Sequence, residues 1–149
     1  MTSNTSNSAS VTITKPAGIS EGDLMIAIIN QSTSNSGDLS NARSSADDWI
    51  ELNGAGGKYY ESSNNEWWGT VLYKFASASD VNASNFTFQG ASIATGIQGS
   101  IIAFSGVDEI SPFDVIGEFT TSSSDNTTLT ANSITTTIAN SAVVMLAFL

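Results

Sequence analysis

The side chains with the most obvious chemical use are aromatic. Trp49, Trp67 and Trp68 fall in one short span with Tyr59 and Tyr60 between them, among Asn, Asp and Glu residues. Flat aromatic faces beside polar groups stack on sugar rings, and they serve equally well as core or interface packing. Neighbouring residues on a strand point to opposite faces, so only one of Trp67 and Trp68 can be core. Trp67, Trp68, Tyr59 and Tyr60 are therefore the candidate ligand- or partner-contact residues.

Catalytic groups are scarcer. The chain has no His and no Cys, which removes the Ser-His-Asp triad, thiol nucleophiles and thiolate metal sites. No Gly-x-Ser-x-Gly elbow occurs. Glu61 and Glu66 flank a turn near Trp67, and Asp47 and Asp48 precede Trp49. Paired carboxylates of this kind can hydrolyse glycosides, although solvated loop acids explain them more simply. Asp47, Asp48, Asp108 and Glu109 offer oxygen ligands suited to calcium, but no Asp-x-Asp-x-Asp loop organises them. The expectation is a non-enzymatic protein with no catalytic residue, metal or cofactor.

Charge narrows the partners. Fourteen Asp and Glu against four Lys and Arg give a net charge of −10. Such a surface repels a phosphate backbone and anionic lipid alike, so neither nucleic acid nor membrane is expected as a partner. Met1-Thr-Ser-Asn-Thr carries no basic or apolar signal region. Every apolar run is far shorter than the ~20 residues that cross a bilayer as a helix. Assembly in a host cytoplasm followed by exposure on a particle surface fits these features.

Only 12% of residues are charged, so Ser, Thr and Asn must keep the surface wet. Thr favours strands, while Ser and Asn favour turns. The 149 residues suit one domain. Met1–Ser10 reads as a flexible polar arm. Residues 11–149 read as an all-β antiparallel sandwich or jelly roll of about nine strands. Val11–Thr14, Asn85–Gln89 and Trp67–Ala76 alternate, and Ala78–Val81 suggests one helical turn. Lys58–Asn65 reads as a hairpin tip, and the polar Gln31–Asp48 segment as an interaction loop. Further strands are expected at Asp114–Thr120, between Ile134 and Ile138, and at Ser141–Leu149.

Three runs do not alternate: Asp23–Asn30, Gly99–Asp108 and Ser141–Leu149. A sandwich strand has one wet face, so these must be covered on both sides. Burying one large apolar side chain is worth about 1.5–3 kcal/mol, enough to predict a homo-oligomer, for example a trimer, or a docked neighbour. Leu149 falls in mid-strand, which leads us to expect further chain and a sandwich incomplete at its C-terminus.

Several short motifs occur together: Lys15-Pro16-Ala17-Gly18, Glu21-Gly22-Asp23-Leu24-Met25-Ile26-Ala27, Leu72-Tyr73-Lys74-Phe75-Ala76, and Phe104-Ser105-Gly106-Val107-Asp108 followed by Ser111-Pro112-Phe113-Asp114-Val115. Together they resemble a β-sandwich module of tailed-phage virion proteins, also seen in some bacterial surface proteins. The resemblance spans Val11 to Leu149 and rests on structural turns, which identify a fold better than an activity. It implies a capsid-decoration, head-fibre or tail-fibre component on the virion surface, in contact with its own copies and other virion proteins. A carbohydrate-binding adhesion module recognising a host-surface glycan through the Trp/Tyr group is the alternative.

Overall fold

Alternation in sequence becomes alternation in burial. In β2 (Ser10–Thr14), Val11 and Ile13 are buried while the residues between them are exposed. In β8 (Asn85–Gln89), Phe86 and Phe88 point inward in the same way. These strands pair antiparallel, and with the two-residue β4 (Arg43–Ser44) they form a three-stranded sheet in the order β2-β8-β4. The computed structural model describes residues 1–34, 39–52, 57–62, 65–120 and 130–147, with 57–62 and 65 described by backbone alone.

The apolar run at Asp23–Asn30 lies in β3 (Leu24–Thr33), the centre of the larger sheet. It is flanked along most of its length by β7 (Asn65–Phe75) and β9 (Gly96–Phe104). The sheet order is β1-β9-β3-β7-β5, with β1 at Thr2–Ser6 and β5 at Ile50–Glu51. β6 (Gly57–Ser62) pairs with the first half of β7 as a hairpin, as expected for Lys58–Asn65. All pairings are antiparallel, so the chain is an all-β, sandwich-like fold of two sheets. The helical turn is also present, as α1 (Ala78–Asn82), closed by a capping box between Ser77 and Asp80.

One core lies between the sheets. Met25, Ala27 and Ile29 of β3 and Ile97 and Ile101 of β9 meet Val11, Ile13, Phe86 and Phe88 from the smaller sheet. Gly99 lets the sheets approach. A Cβ there would sit 2.5 Å from Ile29 Cδ1, 2.8 Å from Ile13 Cδ1 and 3.1 Å from the Ile28 carbonyl. Gly99→Ala is therefore expected to lower unfolding free energy by about 1–3 kcal/mol through overpacking. Urea denaturation checks this, and an unchanged midpoint would show that the isoleucines move aside freely.

The second face of the larger sheet is also apolar. Leu24, Ile26 and Val71 are buried there, among half-buried Ile28, Tyr73, Phe75, Ile102 and Phe104. Val107, Phe113 and Leu146 lie against this cluster, with Phe113 edge-on to Tyr73 at 4.9 Å. Gly106, in a positive-φ conformation at +72°, turns the chain after β9 towards this face.

The structure corrects several expectations. Thr2–Ser6 is not a free arm. It forms β1 against β9, and Thr2 and Asn4 side chains donate to the Thr14 and Thr12 carbonyls of β2, linking the two sheets. Among the described residues beyond Phe104 there is no strand, so those expected at Asp114–Thr120, between Ile134 and Ile138, and at Ser141–Leu149 are not formed. The reason is geometric: β7 and β9 occupy both edges of β3, leaving no central slot for a third apolar run. Val143 is 67% exposed and Met145 54%, and among the described residues of this run Leu146 alone packs on the sheet. The segment is organised instead round Asp114, whose carboxylate accepts from the Thr137 hydroxyl and the Thr137 and Ile138 amides. The hydrogen bond from the Thr137 hydroxyl holds the Asp114 carboxyl below its ordinary pKa.

Candidate functional site

The sequence-derived aromatic group does not form one platform. Trp49 is a core residue, 8% exposed, just before β5. Trp67 and Trp68 follow each other in β7 and point to opposite faces, and both are half-buried, so neither is the fully buried core member expected of the pair. Trp67 shares the outer face with Val71, whereas Trp68 lies on the side facing the smaller sheet. Tyr59 and Tyr60 stand opposite Trp67 and Glu66 in register; the roles expected of their side chains, and that of Glu61, fall outside the described residues.

Trp68 has a defined setting. Its indole Nε1 donates to Asn41 Oδ1, and Asn41 Nδ2 donates to Glu51 Oε1 at 2.7 Å. This chain holds the ring's edge and leaves part of its surface open. Asn41 in turn lines a cleft of about 700 Å³. Three connections meet there: the β1–β2 turn at Ser8–Ser10, the segment Ser40–Arg43 entering β4, and the β8–β9 loop at Gln89–Ile93.

Buried polar side chains fix these walls. Gln31, 1% exposed at an inward position of β3, donates from Nε2 to the Ser40 carbonyl (2.8 Å) and accepts from the Ala91 amide (2.7 Å). Thr33 Oγ1 donates to the Ile93 carbonyl, and Gly90 N donates to the Ala9 carbonyl. The Ala42 amide donates to the buried Thr70 hydroxyl at 3.0 Å. Satisfied buried polar groups of this kind are costly to disrupt, so the cleft is held by the core.

Three of the candidate acids, Glu66, Asp48 and Asp108, have structural partners. Glu66 is buried and accepts the Leu39 amide at 2.8 Å. Asp48 pairs with Lys74 and accepts from the Ser44 hydroxyl. Asp47 takes a positive-φ turn position, and Asp108 accepts the Ile110 amide. Among the described residues, no three acidic side chains come together as metal ligands. Sequence reasoning singled out Gln31–Asp48 but missed Gln31, Asn41 and Arg43 within it. The available signal was a glutamine continuing the alternation of β3 at an inward position.

Fold and cleft together define a two-sheet β protein with a polar cleft next to a half-buried tryptophan. Comparison with protein-family models, curated proteins and solved structures finds no match.

Proposed function

We propose that the chain is a non-enzymatic structural component of a bacteriophage virion, of the capsid-decoration, head-fibre or tail-fibre kind, that works as a homo-oligomer on the particle surface. The observation that carries the reading is the outer face of the larger sheet. Ile28, Tyr73, Phe75, Ile102 and Phe104 keep part of their surface accessible, neither buried nor fully exposed. Among the described residues the apolar run 142–147 pairs with no strand and exposes Val143, Val144 and Met145, and the edge of β9 beyond Ile101 has no β1 partner. Each copy thus offers both an apolar face and an apolar segment to cover one, a combination that two or more copies satisfy reciprocally. On this reading the module is of jelly-roll type and gains strands on assembly. The turn motifs that resemble virion modules support the particle setting.

Light scattering after gel filtration at micromolar concentration is expected to give a multiple of the 15.5 kDa chain mass. Ile102→Asp, on the half-buried outer face, is expected to shift the protein to monomer. A stable wild-type monomer overturns the assembly reading. Immunogold labelling of intact particles tests the location.

A second reading, saccharide binding by an adhesion module, is favoured by one specific observation: the hydrogen bond that seats Trp68 beside the cleft. Specific glycan-array binding lost in Trp68→Ala and retained in Trp67→Ala supports it, because Trp68 is joined to the cleft-lining Asn41 whereas Trp67 lies on the other face of β7.

A further inference from the structure

We propose that the cleft between Ser8–Ser10, Ser40–Arg43 and Gln89–Ile93 binds a carboxylate-bearing sugar, with Arg43 gripping the carboxylate. The inference rests on the saccharide-binding reading and names the class of sugar.

Charge is the first argument. The chain holds fourteen acids and four bases, yet among the described residues the cleft lining contains one Arg and no Asp or Glu. The Arg43 side chain is exposed and makes no hydrogen bond or ion pair among the described residues. Lys74, by contrast, is fully engaged by Asp48 and Asp80. A guanidinium presents a planar fork of donors that matches a carboxylate in a bidentate pair. In a protein of this acidity, a guanidinium with no partner among the described residues, at the rim of a cleft whose described lining carries no acid, is a local attractor for a small anion. The net charge of −10 repels a polyanion such as nucleic acid, so the ligand carries isolated negative charges.

Lining chemistry is the second argument. Besides Arg43, the cleft presents the hydroxyls of Ser8, Ser10, Ser40 and Ser92 and the amides of Asn41 and Gln89. These are short donors and acceptors of the kind that pair with sugar hydroxyls. Trp68, itself outside the lining, is joined to it through Asn41. About 700 Å³ lies within the range of small-molecule sites, about 300–1,000 Å³.

Preorganisation is the third. Gln31 ties both long walls from beneath, and a side chain at position 90 would collide with it, since a Cβ there would lie 2.2 Å from Gln31 Oε1. The walls therefore need little ordering when a ligand enters, which spares binding energy.

The test is an amide and Arg Nε–H NMR titration at low salt with glucuronic acid and N-acetylneuraminic acid, and glucose as the neutral control. Both acidic sugars are expected to shift the amides of Ser8–Ser10 and Gln89–Ile93 and the Arg43 Nε–H. They are expected to bind about 10-fold more tightly than glucose, the scale of one charge-assisted pair. Arg43→Gln, at an exposed position, is expected to keep the wild-type unfolding midpoint and to erase that preference. Equal binding of acidic and neutral sugars at the cleft, or an acid preference that survives Arg43→Gln, overturns the inference and leaves saccharide binding standing. Absence of shifts with all three sugars overturns both.

Discussion

Trp49→Ala is expected to lower unfolding free energy by about 3–5 kcal/mol, the cost of emptying a large aromatic site in a core. The indole sits between the sheets. It meets Phe86 edge-on at 5.5 Å and 77°, and Phe88 at 5.2 Å and 72°. Both phenylalanines belong to β8 in the smaller sheet, whereas Trp49 leads into β5 at the edge of the larger one. Loss of the ring removes two edge-to-face contacts and leaves Phe88, fully buried, facing a void. Trp49→Phe separates volume from polarity. The indole Nε1 is buried with no hydrogen-bond partner among the described residues, so deleting it sacrifices no hydrogen bond and relieves a desolvated donor. Its expected cost is therefore about 1–2 kcal/mol, well below that of alanine. Urea denaturation with an unchanged m value measures both. Equal losses for Phe and Ala would mean that the N–H, rather than the ring, does the holding.

That site shows where sequence was informative. Alternation in Val11–Thr14 and Asn85–Gln89 identified the buried face correctly, because a half-buried strand must alternate whatever lies beyond it, and in Trp67–Ala76 it separated Val71, Tyr73 and Phe75 from Leu72 and Ala76 although both faces are apolar. The unbroken run at Leu24–Ile29 likewise read as doubly buried, and β3 is indeed the centre of a sheet with apolar clusters on both faces. The same rule misplaced the run ending the sequence. Apolarity says that a segment seeks cover, but a strand also needs a free hydrogen-bonding edge, and β3 has none to offer. Thr2–Ser6 failed in the opposite sense. Its residues bury little, yet backbone pairing with β9 and side-chain bonds to β2 carry it, and composition does not report those. The cleft was legible only as a polar segment. Its walls come from three distant connections brought together by Gln31, and spacing within any one of them gives no sign of the others.

Asp80→Ala is expected to cost about 2–4 kcal/mol, because one carboxylate serves two structures. It closes the capping box of α1, accepting from the Ser77 amide at 2.8 Å and from the Ser77 hydroxyl. It also accepts from Lys74 Nζ at 2.9 Å, with side chains only 8% and 15% exposed. Removing it uncaps the helix and leaves Lys74, partly desolvated, with Asp48 as its remaining acid among the described residues. The pair also fixes the pH dependence. Burial pushes the Asp80 carboxyl up, but hydrogen bonds from Ser77 and Lys74 outweigh it and hold the pKa below the ordinary value. That contribution is present above the unfolded pKa of about 3.9 and is lost as pH falls through the folded one. Burial pulls Lys74 down, yet Asp48 and Asp80 together raise it above 10.5. Its contribution is present below the unfolded pKa of about 10.4 and is lost as pH rises through the folded value. The network should thus add a stability that is level through neutral pH, with one decline in acid and another in alkali. Asp80→Ala should flatten the acid decline, and Lys74→Met should remove the alkaline one. Because the two side chains share one bond, the double variant should cost less than the sum of the singles. Strict additivity in that cycle, measured at neutral pH, would show that the cap alone accounts for Asp80.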